Sequence, residues 1–154
     1  MSSLLGKPAP SFTLYNTQKE AVSLSDFQGK KVVLLFFPLA FTAVCTAELC
    51  SARDNMHQYE KLNAQILAIS VDTVFTLAKF KEEQQLNFPL LSDFNKTTAA
   101  AYNALYPEFV LGMKGVAKRS AFVIDENGVV IHEEILENAG EMPSFEAIAK
   151  ALAN

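Results

Sequence analysis

The chain has 154 residues, a length that suits one domain and leaves no room for a second, so we treat residues 1–154 as a unit. Apolar residues make up 50% and charged residues 19%, so the chain can bury a sizeable core and is not intrinsically disordered. Its net charge of −4, without any block of basic residues, argues against a dedicated nucleic-acid surface.

The first half of the chain predicts two short strands, one long strand and one long helix. Apolar and polar residues alternate at residues 12–15 and 22–24, as in half-buried strands on either side of a polar turn. A continuous apolar run at residues 32–37 suits a central strand buried on both faces, and Pro38 ends it. From residue 43 to 63, apolar side chains recur three and four positions apart, which indicates a helix.

Strands and helices then alternate. Residues 66–71 predict a second buried strand, and residues 74–86 a helix that follows it. Residues 88–91 predict a short strand, and residues 96–102 a short helix. Because a strand–helix–strand succession implies right-handed crossovers, we expect neighbouring strands here to be parallel.

The last part of the chain predicts a hairpin and a closing helix. Residues 120–124 and 129–135 have strand-like patterns, and the Asp-Glu-Asn-Gly sequence at 125–128 is a strong turn signal between them. A helix with one apolar face begins at about Pro143. The order of elements predicts an α/β protein with a thioredoxin-like mixed sheet, flanked by helices and carrying an N-terminal β extension.

No targeting or membrane segment is predicted. The N-terminus has Lys7, Pro8 and Pro10 where a secretory signal would be apolar. The most apolar run, residues 32–41, is about half of the ~20 residues that a membrane span needs, and a proline interrupts it. Two cysteines are too few for a disulfide scaffold and suit a reducing compartment, so we expect a cytoplasmic protein.

The stretch that says most about chemistry is residues 37–50, with the sequence FPLAFTAVCTAELC. It predicts a strand that stops at Pro38, a short loop, and a helix with Cys45 in its first turn. Thr42 suits the N-cap, where its hydroxyl would accept a hydrogen bond from the amide of Cys45. The unpaired amides and the helix dipole would stabilise a thiolate at Cys45. An inert core cysteine is the commoner fate of this residue type, but the position favours a nucleophile.

These residues resemble the peroxiredoxin family. Pro38-x-x-x-Thr42-x-x-Cys45 matches its active-site motif, and Glu48 matches the acidic or amide residue three positions beyond the reactive cysteine. Residues 119–125, which begin with Arg119, resemble the second block of the family, which supplies a catalytic arginine.

The resemblance divides between two types within that family. Residues 36–42 are similar to the alkyl-hydroperoxide-reductase-E type. Cys45-x-x-x-x-Cys50, with Arg-Asp at residues 53–54, is shared with the Q type, also called bacterioferritin comigratory protein. Residues 6–12 resemble the family as well, so the likeness covers nearly the whole chain.

The resemblance implies an antioxidant oxidoreductase, a cofactor-free peroxidase that reduces hydrogen peroxide or organic hydroperoxides. Pro38 is then expected to shield the sulfur from water, and Thr42 to hydrogen-bond the sulfur or the peroxide. Arg119 would direct several fixed donors and a permanent charge towards the leaving oxygen, and Glu48 would orient Arg119. On residue type alone, Arg119 would be an exposed residue before a strand, and Glu48 a solvated acid in the first helical turn.

Cys50 has two possible roles. It resolves a sulfenic acid on Cys45 by forming an intramolecular disulfide, which thioredoxin or another thiol reduces, or it is structural in a one-cysteine peroxidase. Residues five apart on an intact helix have Cα atoms about 8.6 Å apart, whereas a disulfide needs less than about 7 Å. The first turns, at residues 42–51, would therefore have to unwind. No cysteine follows Cys50, so we expect no resolving cysteine in a C-terminal tail.

Three other interpretations are weaker. A thioredoxin-type disulfide reductase requires Cys-x-x-Cys, whereas here four residues separate the two cysteines. A zinc site would need both cysteines together with His57 and His132, but a helical spacing of five turns the cysteine side chains about 140° apart. A non-catalytic thioredoxin-like binding module does not explain why the whole active-site motif is present.

An apolar patch beside the active-site loop favours a homodimer. E-type enzymes form homodimers through such loops, whereas Q-type enzymes are often monomers. The residues of the predicted patch are Leu39, Ala40, Phe41, Tyr106, Pro107, Phe109 and Leu111. Phe41 and Phe109 are also expected to line the entrance for peroxide.

Overall fold

The sheet is built around the long apolar strand β3 (Lys31–Phe36). The computed structural model describes residues 3–153, and its other strands are β1 (Thr13–Asn16), β2 (Ala21–Ser23), β4 (Ala64–Ser70), β5 (Leu90–Ser92), β6 (Ser120–Ile124) and β7 (Val130–Ile135). Together they form one seven-stranded sheet in the order β2-β1-β5-β4-β3-β6-β7. This architecture confirms the predicted α/β class with an N-terminal β extension.

The pairing of the strands follows from their connections. β3 pairs in parallel with β4, and β4 with β5, because a helical crossover joins each pair. β6 lies antiparallel on the other side of β3, so Leu34 faces Leu67 on one neighbour and Phe122 on the other. The hairpin partner β7 and the N-terminal strands β1 and β2 complete the two edges.

The helices cover both faces of the sheet. They are α1 (Ala43–Asp54), α2 (Met56–Lys61), α3 (Val74–Gln84), α4 (Thr97–Ala101) and α5 (Phe145–Ala153), with short 3-10 turns at Leu24–Phe27 and Val110–Gly112. The sequence pattern predicted a single helix over residues 43–63, and this prediction was wrong at Asn55. The Asn55 backbone leaves the helical region, and its side-chain amide donates to the carbonyl of Ser51 at 2.8 Å, in competition with the helical ladder.

Successive residues of β3 point into two separate cores. Val33 and Leu35 pack against α1, α2, α3 and α5 on one face. Leu34 and Phe36 pack on the other face, where the ring of Phe36 lies 5.4 Å from that of Tyr102. Burial on both sides explains the continuous apolar run, because a strand with one wet face would alternate.

The β6–β7 hairpin closes on the predicted turn at residues 125–128. The carboxylate of Asp125 accepts from the amides of Asn127 and Val129, both at 2.9 Å. Gly128 takes a positive φ of 81°, which a residue with a side chain adopts only with strain. Elsewhere in the described part of the chain, no helix is long and apolar enough to cross a membrane.

Candidate active site

The loop between β3 and α1 carries the first part of the site. Pro38 is buried two residues after the end of β3, and Thr42 occupies the N-cap of α1 with an extended backbone, as predicted. The predicted hydrogen bond of the cap was wrong. The Thr42 hydroxyl donates back to the carbonyl of Leu39 at 2.8 Å, and no side chain caps the first turn of α1. The hydroxyl therefore stabilises the loop between β3 and α1, and its oxygen lone pairs remain free to accept a hydrogen bond.

Cys45 lies in the first turn of α1 and is completely buried. The guanidinium of Arg119, which directly precedes β6, donates from Nη2 to its Sγ at 3.2 Å. Arg119 is only 2% exposed, so it is not the surface residue that its type alone would suggest. Folding thus brings together two residues that are 74 positions apart in the sequence.

All three nitrogens of the Arg119 guanidinium are engaged. Besides Cys45, Nη1 donates to Glu48 Oε1 at 2.7 Å, and Nε donates to the carbonyl of Ala139 at 2.9 Å. Burial tends to lower the pKa of Arg119, but its interactions with Cys45 and Glu48 hold it above its ordinary value. Arg119 therefore stays charged and is fixed in one orientation. Ala139 could not be found from the sequence, because it contributes only its main chain.

Glu48 is buried beneath Arg119. It lies in the second turn of α1 and is fully inaccessible, so the alternative of a solvated acid in the first turn was wrong. Oε1 binds Arg119, whereas Oε2 has no hydrogen-bond partner. Burial raises the pKa of Glu48 to about 7, against the lowering effect of Arg119, and the nearby Glu134 adds to the increase. The charge of Glu48 consequently changes close to neutral pH.

This burial predicts a pH dependence of stability. Between pH 4.5 and about 7, native Glu48 holds a proton that the unfolded chain has lost, so the free energy of unfolding should fall as the pH rises. Glu48→Gln should remove this component, on the order of a few kcal/mol across the interval. Urea titrations at several pH values measure the effect, with Glu60→Gln on the exposed face of α2 as the matched control. Parallel pH curves for wild type and Glu48→Gln would contradict the prediction.

A pocket of about 540 Å³ opens beside Arg119, the residue that contacts the buried sulfur of Cys45. Pro38, Thr42, Phe109 and Arg119 are among the residues that line it. Phe109 lines this pocket, as an entrance residue would, whereas Phe41 is not among the lining residues. Phe41 packs edge-on against Phe80 instead, with ring centroids 5.1 Å apart.

Cys50 lies on the same unbroken helix as Cys45 and is partly buried, and both thiols are free. The Sγ of Cys50 donates to the side-chain oxygen of Gln84 on α3 at 3.5 Å. The two cysteines thus contact different partners. Within residues 3–153 they form no cluster of three or more potential metal ligands with His57 or His132.

A buried thiol at a helix start that accepts from an arginine, on a thioredoxin-like sheet, is typical of thiol-dependent redox enzymes. The model of the AhpC/TSA family matches residues 5–133. A Haemophilus influenzae protein that carries the name peroxiredoxin bcp is 40% identical over 129 residues, which cover 82% of this chain and 83% of that protein. The chain therefore belongs to the AhpC/TSA family of peroxiredoxins and is a thiol-dependent peroxidase, which uses a peroxide substrate and a thiol reductant.

Two further comparisons agree. The chloroplastic 2-Cys peroxiredoxin BAS1 of Hordeum vulgare is 38% identical over 143 residues, which cover 86% of this chain and 66% of that one. The crystal structure of peroxidoxin BcpB from Mycobacterium tuberculosis superposes with a TM-score of 0.83 at 32% identity, over 99% of this chain and 96% of that chain. The non-catalytic binding module considered from the sequence is thus disfavoured.

Proposed function

We propose that Cys45 is the peroxidatic nucleophile and that the chain reduces hydrogen peroxide and organic hydroperoxides. The thiolate sulfur attacks the terminal peroxide oxygen, the O–O bond breaks, and the alkoxide or hydroxide that leaves takes up a proton. The sulfur becomes a sulfenic acid, and the peroxide becomes an alcohol or water. The observation that carries this proposal is the donation from Arg119 Nη2 to Cys45 Sγ at 3.2 Å.

The pocket geometry supports the displacement. Arg119 presents a permanent charge beside the sulfur, where it would stabilise the negative charge that builds on the peroxide oxygens. The Thr42 hydroxyl already donates to Leu39, so its free lone pairs would accept from the O–H of a hydroperoxide. Buried Pro38 on the pocket wall would keep bulk water from the sulfur.

We further propose that Cys50 resolves the sulfenic acid. The Cys50 thiol loses its proton and attacks Cys45, an S–S bond forms, and the hydroxyl of the sulfenic acid leaves as water. Because α1 is continuous over both cysteines, the bond requires residues 42–51 to unwind first. The C-terminal end of α1 is tied to α3 through Arg53, whose Nη1 donates to the carbonyl of Gln84. The N-terminal turns are therefore the part that we expect to open.

The resolution step is tested by counting thiols after reduced protein reacts with one equivalent of hydrogen peroxide. Loss of both thiols and of two hydrogens in the intact mass is expected. Cys50→Ser should instead stop at a sulfenic acid that a dimedone-type reagent traps. A stable sulfenic acid in the wild type, with Cys50 still open to alkylation, would replace this proposal by the one-cysteine mechanism.

The reductant and the assembly state are proposals as well. An exposed disulfide in an unwound segment suits reduction by thioredoxin or another dithiol. A homodimer is supported by exposed apolar side chains on two loops, namely Phe41 before α1, and Val110 and Leu111 in the second 3-10 turn, where Leu111 is 94% accessible. Two predicted members of the patch, Ala40 and Tyr106, are buried and do not contribute. Sedimentation at micromolar concentration distinguishes the dimer from the 16.9 kDa chain.

A cytoplasmic location is also proposed. Its support is the sparse cysteine content and a chemistry that needs Cys45 to be returned to the thiol state after each turnover. Subcellular fractionation tests it.

A further inference from the structure

Asp72 lies outside the pocket, in the connection between β4 and α3. It contacts the active-site loop, the segment 37–42 between β3 and α1. Its Oδ2 accepts from the amide of Ala40 at 2.8 Å. Ala40 stands midway between Pro38 and Thr42 and is buried. The carboxylate thus connects the centre of the loop to the segment that directly follows β4.

The carboxylate of Asp72 is itself held in place. The same Oδ2 accepts from the hydroxyl of Ser70 at 2.7 Å, and Ser70 is completely inaccessible at the end of β4. The hydroxyl of Ser92 on β5 donates to the main-chain carbonyl of Asp72 at 2.6 Å. An acceptor oxygen that other contacts already hold in place is preorganised, so the Ala40 contact is a firm attachment of the loop.

The attachment is independent of the sulfur. Oxidation of Cys45 changes the atom that Arg119 contacts, whereas the Ala40–Asp72 hydrogen bond involves neither cysteine. It therefore persists in the sulfenic acid form and favours the folded helix at the moment when α1 has to open. Ala40 lies two residues before the segment 42–51 that has to unwind, so this hydrogen bond anchors the N-terminal end of that segment, and its strength shifts the balance between the closed and open states.

We infer that Asp72 is a positioning residue that holds the active-site loop closed and limits the rate at which the Cys45–Cys50 disulfide forms. This inference rests on the proposed resolution by Cys50. If the open state is a minor population, weakening the hydrogen bond multiplies that population and leaves the closed majority almost unchanged. Disulfide formation should then become faster while the oxidation of Cys45 by peroxide keeps its rate. A group with a merely structural role would slow both steps or neither.

The experiment follows a single turnover of the reduced full chain by acid quench and intact mass, since the protein has no tryptophan to report oxidation. Asp72→Asn keeps a side-chain oxygen but loses the charge, and Ser70→Ala removes the hydroxyl that orients the carboxylate. We expect disulfide formation to be about tenfold faster in Asp72→Asn, equivalent to about 1.4 kcal/mol, and faster by a smaller factor in Ser70→Ala. The matched control is Asp125→Asn in the β6–β7 turn, where the same change removes a carboxylate that also accepts backbone amides.

Each outcome decides the question. Faster disulfide formation in the Asp72 or Ser70 variant, with unchanged Cys45 oxidation and no acceleration in the Asp125 variant, supports the inference. Unchanged or slower disulfide formation overturns it, although resolution by Cys50 would stand. Should Asp72→Asn not fold, Ser70→Ala decides alone. A wild type that forms no disulfide would remove the resolution proposal and this inference together.

Discussion

Cys45→Ser is expected to abolish peroxide reduction, with a loss on the order of a thousandfold or more. A serine hydroxyl does not ionise at neutral pH and cannot be oxidised to a sulfenic acid, so the reaction loses its nucleophile. The fold should persist, because the two side chains have nearly the same size and Arg119 Nη2 can donate to oxygen as it does to sulfur. Thiol-dependent peroxide consumption measures the activity, and the thermal unfolding midpoint measures the fold.

Cys50→Ser provides the matched comparison, since it makes the same chemical change five residues further along α1. That variant should still oxidise Cys45 in a single turnover and accumulate the sulfenic acid. Appreciable turnover in the Cys45 variant, with the wild-type unfolding midpoint, would refute the assignment of the nucleophile.

Arg119→Lys is expected to slow the oxidation of Cys45 by roughly a hundredfold although the positive charge is kept. The guanidinium bridges three acceptors at once, namely Cys45, Glu48 and the carbonyl of Ala139. A lysine ammonium is a point charge on a flexible chain and cannot reproduce this planar arrangement. Quench-flow mixing of reduced protein with peroxide, followed by mass analysis, measures the rate of Cys45 oxidation directly.

Arg53→Lys is the natural control, because Arg53 is the chain's other arginine and contacts Asp54 and the carbonyl of Gln84, away from the pocket. It should leave the oxidation of Cys45 close to the wild-type rate. A wild-type rate in Arg119→Lys would mean that the charge alone suffices and that the directed donors do not act on the reacting atoms.

Arg119 and Glu48 form a buried ion pair, so a substitution at either residue is expected to affect stability as well as activity. A buried ion pair is costly to break, because the remaining charge stays desolvated. Arg119→Lys is therefore expected to lower stability as well as the rate of Cys45 oxidation. The rate should be measured without denaturant, at a temperature well below the unfolding midpoint. The separate measurement of unfolding keeps the two effects apart.

The sequence by itself determined the framework of the site. The continuous apolar run placed β3 and the helical spacing placed the start of α1, because a strand buried on both faces and a helix leave different local patterns. The break at Asn55 was not predicted. Pro38 and Thr42 marked the end of the strand and the start of the helix, which placed Cys45 in the first helical turn. The likeness to the family singled out Arg119, which its residue type alone would have left on the surface.

The tertiary structure decided the contacts within that framework. Arg119 and Glu48 are 71 positions apart, and no local pattern encodes which distant side chain a guanidinium will meet. The direction of the Thr42 hydroxyl and the attachment of Ala40 to Asp72 depend on how a loop folds back on β4, which only the packing of the sheet defines. Local periodicity records which face of an element is buried, whereas hydrogen bonds between distant polar groups are selected by the cost of leaving them unpaired in the assembled core.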